Sequence, residues 1–151
     1  MSGLTDDQIA RPSRLPNWTV GHVLSHLARN ADGHSRRLEG ALVGKDVPKY
    51  SGGRQQRANE IDDGAARPAA DVVADLVASQ RRLEDLFAES SAAGWPHPQP
   101  FGDTSYGPQG CPSHRLREIE MHHLDLGLGY TPASWPDEYV DWELEILLST
   151  V

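Results

Sequence analysis

Apolar residues recur at helical spacing along most of the chain, and turn-forming residues separate the runs. From Val20 to about Val43, the positions Val20, Val23, Leu24, Leu27, Ala31, Leu38, Ala41 and Leu42 form one stripe. Pro16 halts the segment before it, Thr19 or Asn17 can cap the helix, and Trp18 can staple its first turn to the core. Gly33 and Gly40 weaken this helix without ending it. A second run, about Pro68 to Glu89, carries Ala69, Val72, Val73, Leu76, Val77, Leu83, Leu86 and Phe87 on one face, with Pro68 near its first turn. A third helix is predicted over about 114–128, capped by Ser113 and ended by Gly127 and Gly129. The last, about Asp137 to Leu148, is apolar on more than one side, as in a helix packed against two neighbours.

The intervening segments are less regular. Residues 1–17 are polar, with little to pack beyond Leu4, Ile9 and Leu15. Residues 44–67 read as a connection: Val47-Pro-Lys-Tyr-Ser-Gly-Gly is turn chemistry, and Arg54 to Asp63 is a polar piece able to form a helix. Connections this long are usually functional or disordered. Residues 90–112, with five Pro and four Gly, form an irregular segment in which Trp95, Phe101 and Tyr106 can pack. No strand alternation and no internal repeat stand out. The pattern predicts an all-α fold, a bundle of about four helices.

Composition narrows the functional classes. A chain of 151 residues suits one domain. The formal charge of −8 disfavours nucleic acid and anionic membrane, which both demand a basic footprint. There is no signal-peptide core and no apolar run near the length of a membrane span. The single Cys111 cannot form an internal disulfide, which points to a reducing cytoplasm. It lies between Gly110 and Pro112 with no basic partner, so it makes a poor nucleophile. Seven histidines are a mild enrichment that hints at metal or acid–base chemistry.

The sharpest chemical signal is Glu118 and His122, four residues apart and therefore on one helical face. Such a pair is also an ordinary surface contact worth about 0.2–0.5 kcal/mol. The first long helix carries His22 and His26 one turn apart. One of these with Glu118 and His122 would supply two imidazoles and a carboxylate, a set suited to Zn²⁺ or another divalent first-row ion. The intervening sequence fixes no geometry. Arg54, Arg57 and Arg67 can bind substrate carboxylates, or pair with the nearby Asp62 and Asp63.

Three stretches carry a family resemblance: Leu15-Pro-Asn-Trp-Thr-Val-Gly-His-Val-Leu-Ser-His-Leu-Ala-Arg-Asn-Ala-Asp32, Arg57-Ala-Asn-Glu-Ile-Asp-Asp-Gly-Ala-Ala-Arg67 and Arg117-Glu-Ile-Glu-Met-His-His-Leu-Asp-Leu126. In this order, across about residues 4–140, they resemble the N-terminal domain of mycothiol-dependent maleylpyruvate isomerases, part of the DinB-like metalloprotein superfamily. The resemblance implies a DinB-like up-down bundle in which His26, Glu118 and His122 hold a divalent metal, Zn by expectation. His22 and His123 are then runners-up, and Asp125 a group that orients a ligand. It also implies a small thiol such as mycothiol as cosubstrate and an electrophilic substrate. The reaction would be cis–trans isomerisation by thiolate addition, or S-transfer. The alternatives are a catalytically inactive metal-binding domain and a helical interaction module. Family members usually carry a further helix before the Leu-Pro-x-Trp-Thr motif and a second, C-terminal domain. The expectation for residues 1–151 is therefore a single metal-binding domain without either, whose uncovered apolar stripe favours homo-oligomers.

Overall fold

Thr19 begins the helix on which the others pack. Its backbone is extended and its hydroxyl accepts from the His22 amide. His22 Nδ1 accepts in return from the Thr19 amide at 3.2 Å, a reciprocal cap that satisfies two otherwise orphaned donors. In the computed structural model, which describes residues 3–96, 99–102 and 104–149, this helix is the second of six. They are α1 (Asp6–Ile9), α2 (Val20–Leu42), α3 (Gly53–Ala65), α4 (Ala69–Ala92), α5 (Cys111–Asp125) and α6 (Asp137–Ser149), with 3₁₀ turns at Pro108–Gly110 and Pro132–Ser134. The described residues contain no strand, only an isolated bridge between Pro12 and Thr19.

Packing contacts set the helix directions. At one end, Val20 and Leu24 of α2 pack with Ala69 and Val72 of α4. At the other, Leu38 and Ala41 pack with Leu83 and Leu86, so α4 runs alongside α2 in the same sense. α3 runs the other way: Gly64 near its end sits where a Cβ would meet Ser25 Oγ at 2.7 Å, early in α2. α5 is also antiparallel to α2, since Glu118 and His122 meet His26 while His114 lies by His34. The result is the expected up-down bundle.

Several local expectations need correction. α5 begins at Cys111, before Ser113, and no side chain caps it; Pro112 occupies its first turn, where a missing N–H costs nothing. It ends at Asp125, short of 128, because the chain turns left-handed at Gly127 (φ 67°). The polar piece in the connection 44–67 does form a helix, α3, as its sequence allowed, extended by one residue at its start and two at its end. The polar start of the chain forms α1, and its Ile9 is buried against Val20, Leu24, Ala69 and Val72. In the segment 90–112 the expected packing is found: Phe101 is buried in the core, and Trp95 and Tyr106 pack against that core.

Gly33 and Gly40, two of the three glycines of α2, have a packing purpose. Seven residues apart, they share a face, and the chain leaving α2 folds back across it. A Cβ on Gly40 would stand 2.5 Å from Val47 Cγ2 and 2.9 Å from the Lys45 carbonyl oxygen. Helix propensity alone would favour alanine there by about 1 kcal/mol. The stiff valine and the backbone oxygen reverse the sign, and Gly40→Ala should lower stability by about 1–3 kcal/mol in urea unfolding. A stabilised variant would show that the 45–47 segment yields freely.

Candidate functional site

The antiparallel pairing of α2 and α5 brings His26, Glu118 and His122 together across ninety-two residues of sequence. His26 Nε2 lies 3.0 Å from Glu118 Oε2 and 3.0 Å from His122 Nε2. The third edge, His122 Nε2 to Glu118 Oε2, is 3.6 Å. Ligand atoms about 2.0–2.2 Å from one ion lie roughly 3–3.5 Å from each other. The three atoms therefore have the spacing of a shared coordination sphere and could hold one metal ion.

The groups around the triad set its protonation. Asp125 Oδ2 accepts the His122 Nδ1 proton at 2.9 Å, leaving a lone pair at Nε2. His26 differs: Arg57 Nη2 lies 3.0 Å from its Nδ1. A guanidinium can only donate, so His26 accepts there and carries its proton on Nε2, shared towards Glu118 and His122. Trp18 lies beside the His26 ring and under the Arg57 guanidinium. Burial alone would raise the Glu118 pKa, but hydrogen bonding to the two histidines and the nearby Lys49 charge hold it well below the carboxylate range. Burial lowers His26, against the pull of Glu118. For His122 burial also lowers, but Glu118 and Asp125 outweigh it and the net shift is upward.

The other residues singled out by sequence fall elsewhere. His22 caps α2, with Nε2 3.7 Å from Asp62 Oδ1, and takes no part in the triad. His123 is exposed and stacks on Tyr130 at 3.7 Å between centroids. Arg54 is exposed on α3, and Arg67 pairs with Asp75 at 2.8 Å rather than with Asp62 or Asp63. Cys111 is buried, with its thiol pushed up to about 11 by burial.

Sequence reasoning passed over Arg115, His34, His114 and Lys49. Arg115 is buried and donates to the Leu27 carbonyl and Asn30 Oδ1, both at 2.9 Å, and to Gln80 Oε1. A signal for the histidines was present: 26, 30 and 34 share one face of α2, and 114, 118 and 122 share one face of α5. Lys49 carried none, because lysine is normally a surface residue.

Comparison with known proteins agrees with the helical fold. Residues 1–127 match the family described as the mycothiol maleylpyruvate isomerase N-terminal domain. A crystal structure of the mycothiol-dependent maleylpyruvate isomerase superposes with a TM-score of 0.83 at 24% identity, covering 91% of this chain and 57% of that one. A histidine-to-alanine mutant of that enzyme matches with the same TM-score at 23% identity and the same coverage. At these identities the likeness speaks for the fold. The chain spans 57% of the length of the solved structures it matches. No curated protein matches.

The depressed Glu118 pKa gives a pH dependence with a defined sign. A carboxylate lowered by folding adds stability above its unfolded pKa, and loses it as pH falls towards the folded value. In metal-free protein, stability should therefore fall below about pH 4.5, the ordinary value for this group. Glu118→Gln should flatten that limb of the profile in thermal melts taken from pH 3 to 6 (roughly the carboxylate titration range). Parallel profiles for the two proteins would mean that Glu118 is not held ionised by its neighbours.

Proposed function

The chain belongs to the mycothiol maleylpyruvate isomerase N-terminal domain family, and from that premise we propose that it is a metal-dependent enzyme using a small thiol, of the isomerase or S-transferase type. The observation that carries this reading is the convergence of His26, Glu118 and His122 on one point, 3.0–3.6 Å apart. Two imidazoles and a carboxylate suit Zn²⁺ or a similar divalent ion and leave positions open. A cation bound there would favour the thiolate form of a cosubstrate such as mycothiol at neutral pH.

The surrounding residues have separable roles. Asp125 holds His122 in the tautomer that offers Nε2 as a ligand. For His26 to offer Nε2, its proton must move to Nδ1, and two donors would then face each other across 3.0 Å. A metal held at His26 Nε2 would therefore require Arg57 to move off His26 Nδ1. Its guanidinium is then available to a carboxylate of the incoming electrophile.

In the isomerisation, the thiolate sulfur adds to one carbon of a conjugated cis double bond. The π electrons move onto the conjugated carbonyl as an enolate. The former double bond, now single, rotates. Collapse of the enolate expels the same thiolate and leaves the trans isomer, with no net redox change or proton uptake. S-transfer needs only the first half of this sequence with a leaving group in place of the double bond.

Elemental analysis of untagged protein purified without chelator tests the reading. About one divalent ion per chain is expected, lost in Glu118→Ala and His26→Ala and weakened about 10–100-fold in affinity by Asp125→Asn. A folded wild-type chain that takes up no metal on supplementation would sink the proposal. Maleylpyruvate turnover that needs both metal and mycothiol would identify the isomerase, and thiol consumption by other electrophiles the transferase. Exposed Leu144 and Leu148 on α6 favour self-association. Sedimentation velocity should show a species larger than one chain, and a monomer at all concentrations would rule this out.

A further inference from the structure

Along both ligand helices, next to the triad, lies a second group of ionisable side chains that the proposed function leaves unused. His34 follows His26 by two turns of α2, and His114 precedes Glu118 by one turn of α5. Their ring centroids are 5.3 Å apart. Lys49, one of only two lysines in the chain, reaches in from the connection between α2 and α3. Its stem passes Gly33, where an added Cβ would stand 3.1 Å from Lys49 Cβ and Cγ. Its Nζ donates to His34 Nε2 at 3.0 Å. Arg36 grips the Lys49 carbonyl through Nε at 2.8 Å and through Nη2, fixing the backbone from which the amine projects.

This cluster is rich in donors and short of acceptors. A neutral imidazole that accepts at Nε2 carries its proton at Nδ1. His34 is 0% exposed, and its Nδ1 has no partner. His114 Nδ1 is likewise buried without one. No carboxylate among the described residues forms an ion pair with Lys49. Burial, then the charges of Arg37 and Arg115, lowers Lys49 to about 8 against the opposing pull of Glu118. Burial, then Lys49, lowers His114 to about 4. Buried donors without acceptors are unfavourable, and an anion between Lys49 and His114 would supply one. On its outer side, His114 lines a cavity of about 620 Å³ together with Tyr106, Arg117 and Trp142.

We propose that Lys49, His34 and His114 form an anion subsite that takes a carboxylate of the electrophilic substrate. Only the identity of that substrate rests on the function proposed above. His114 lies one helical turn from Glu118, about 6 Å along the axis. A short unsaturated acid held there by one carboxylate would present its carbon chain towards the triad. The subsite would thus choose anionic electrophiles and orient them, while the triad serves the thiol.

Maleate is a suitable probe, titrated calorimetrically into the metal-loaded full chain and its variants. Lys49→Met and His114→Leu should each weaken binding about tenfold or more, with melting temperature and metal content as in the wild type. Glu118→Ala, which removes a triad carboxylate and is titrated without metal, should still bind maleate. Wild-type affinity in both the Lys49 and His114 variants, or no binding by the wild type, would overturn the subsite. So would loss of binding in Glu118→Ala alone, which would place maleate on the metal. Metal content and thiol binding, measured in parallel, report on the triad. A chain that binds maleate through Lys49 but holds no metal would defeat the proposed function and leave the subsite standing.

Discussion

The arrangement depends on one buried guanidinium. Arg115 of α5 is 2% exposed, and its hydrogen bonds go to a backbone carbonyl and an amide side chain of α2 and to Gln80 of α4. None of these partners carries a charge. Burial lowers the Arg115 pKa to about 10, while the fields of Glu118 and Asp32 favour its charged form. A planar fork of donors can meet these acceptors in only one orientation. Arg115 therefore sets the rotation and register of α5 against its two neighbours, a constraint that apolar packing alone would leave looser.

From that register follows the pairing of two polar stripes. Residues 114, 118 and 122 of α5 face 34 and 26 of α2 in reverse order. At one end the facing groups are two imidazoles and a carboxylate, at the other two imidazoles and a lysine. The same backbone geometry thus sets a group of residues that could hold a metal ion beside a group of buried nitrogen donors. Glu118 is electrostatically coupled to both, since it raises the pKa of Lys49 and is lowered by it.

The long helices were legible because their apolar stripes are local, and the boundaries moved wherever a side chain's partner was distant or absent. His22 illustrates the legible case: with Thr19, three residues before it, it completes a capping box, and α2 starts at Val20 as the sequence predicts. Ser113 illustrates the other, since the helix starts two residues earlier without any side-chain cap. For the site, the spacing of Glu118 and His122 and the resemblance to a known family pointed to the residues that meet. Lys49 was invisible because the fold of its connection is decided by glycines on another helix. α3 was faint because only Ile61 of its residues is buried.

The connection 43–52 also bears on how this fold can change. Surface connections are ordinarily where proteins accept inserted and deleted residues. Here the chain must leave Leu42, pass Gly40 with Val47, and bring the Lys49 stem to Gly33 while Arg36 holds its carbonyl. Each of these contacts counts residues from the helix end. The stretch behaves as a ruler, and one residue more or less would miss its marks. Lineages of this fold that keep the lysine in its pocket should vary the composition of this stretch more readily than its length.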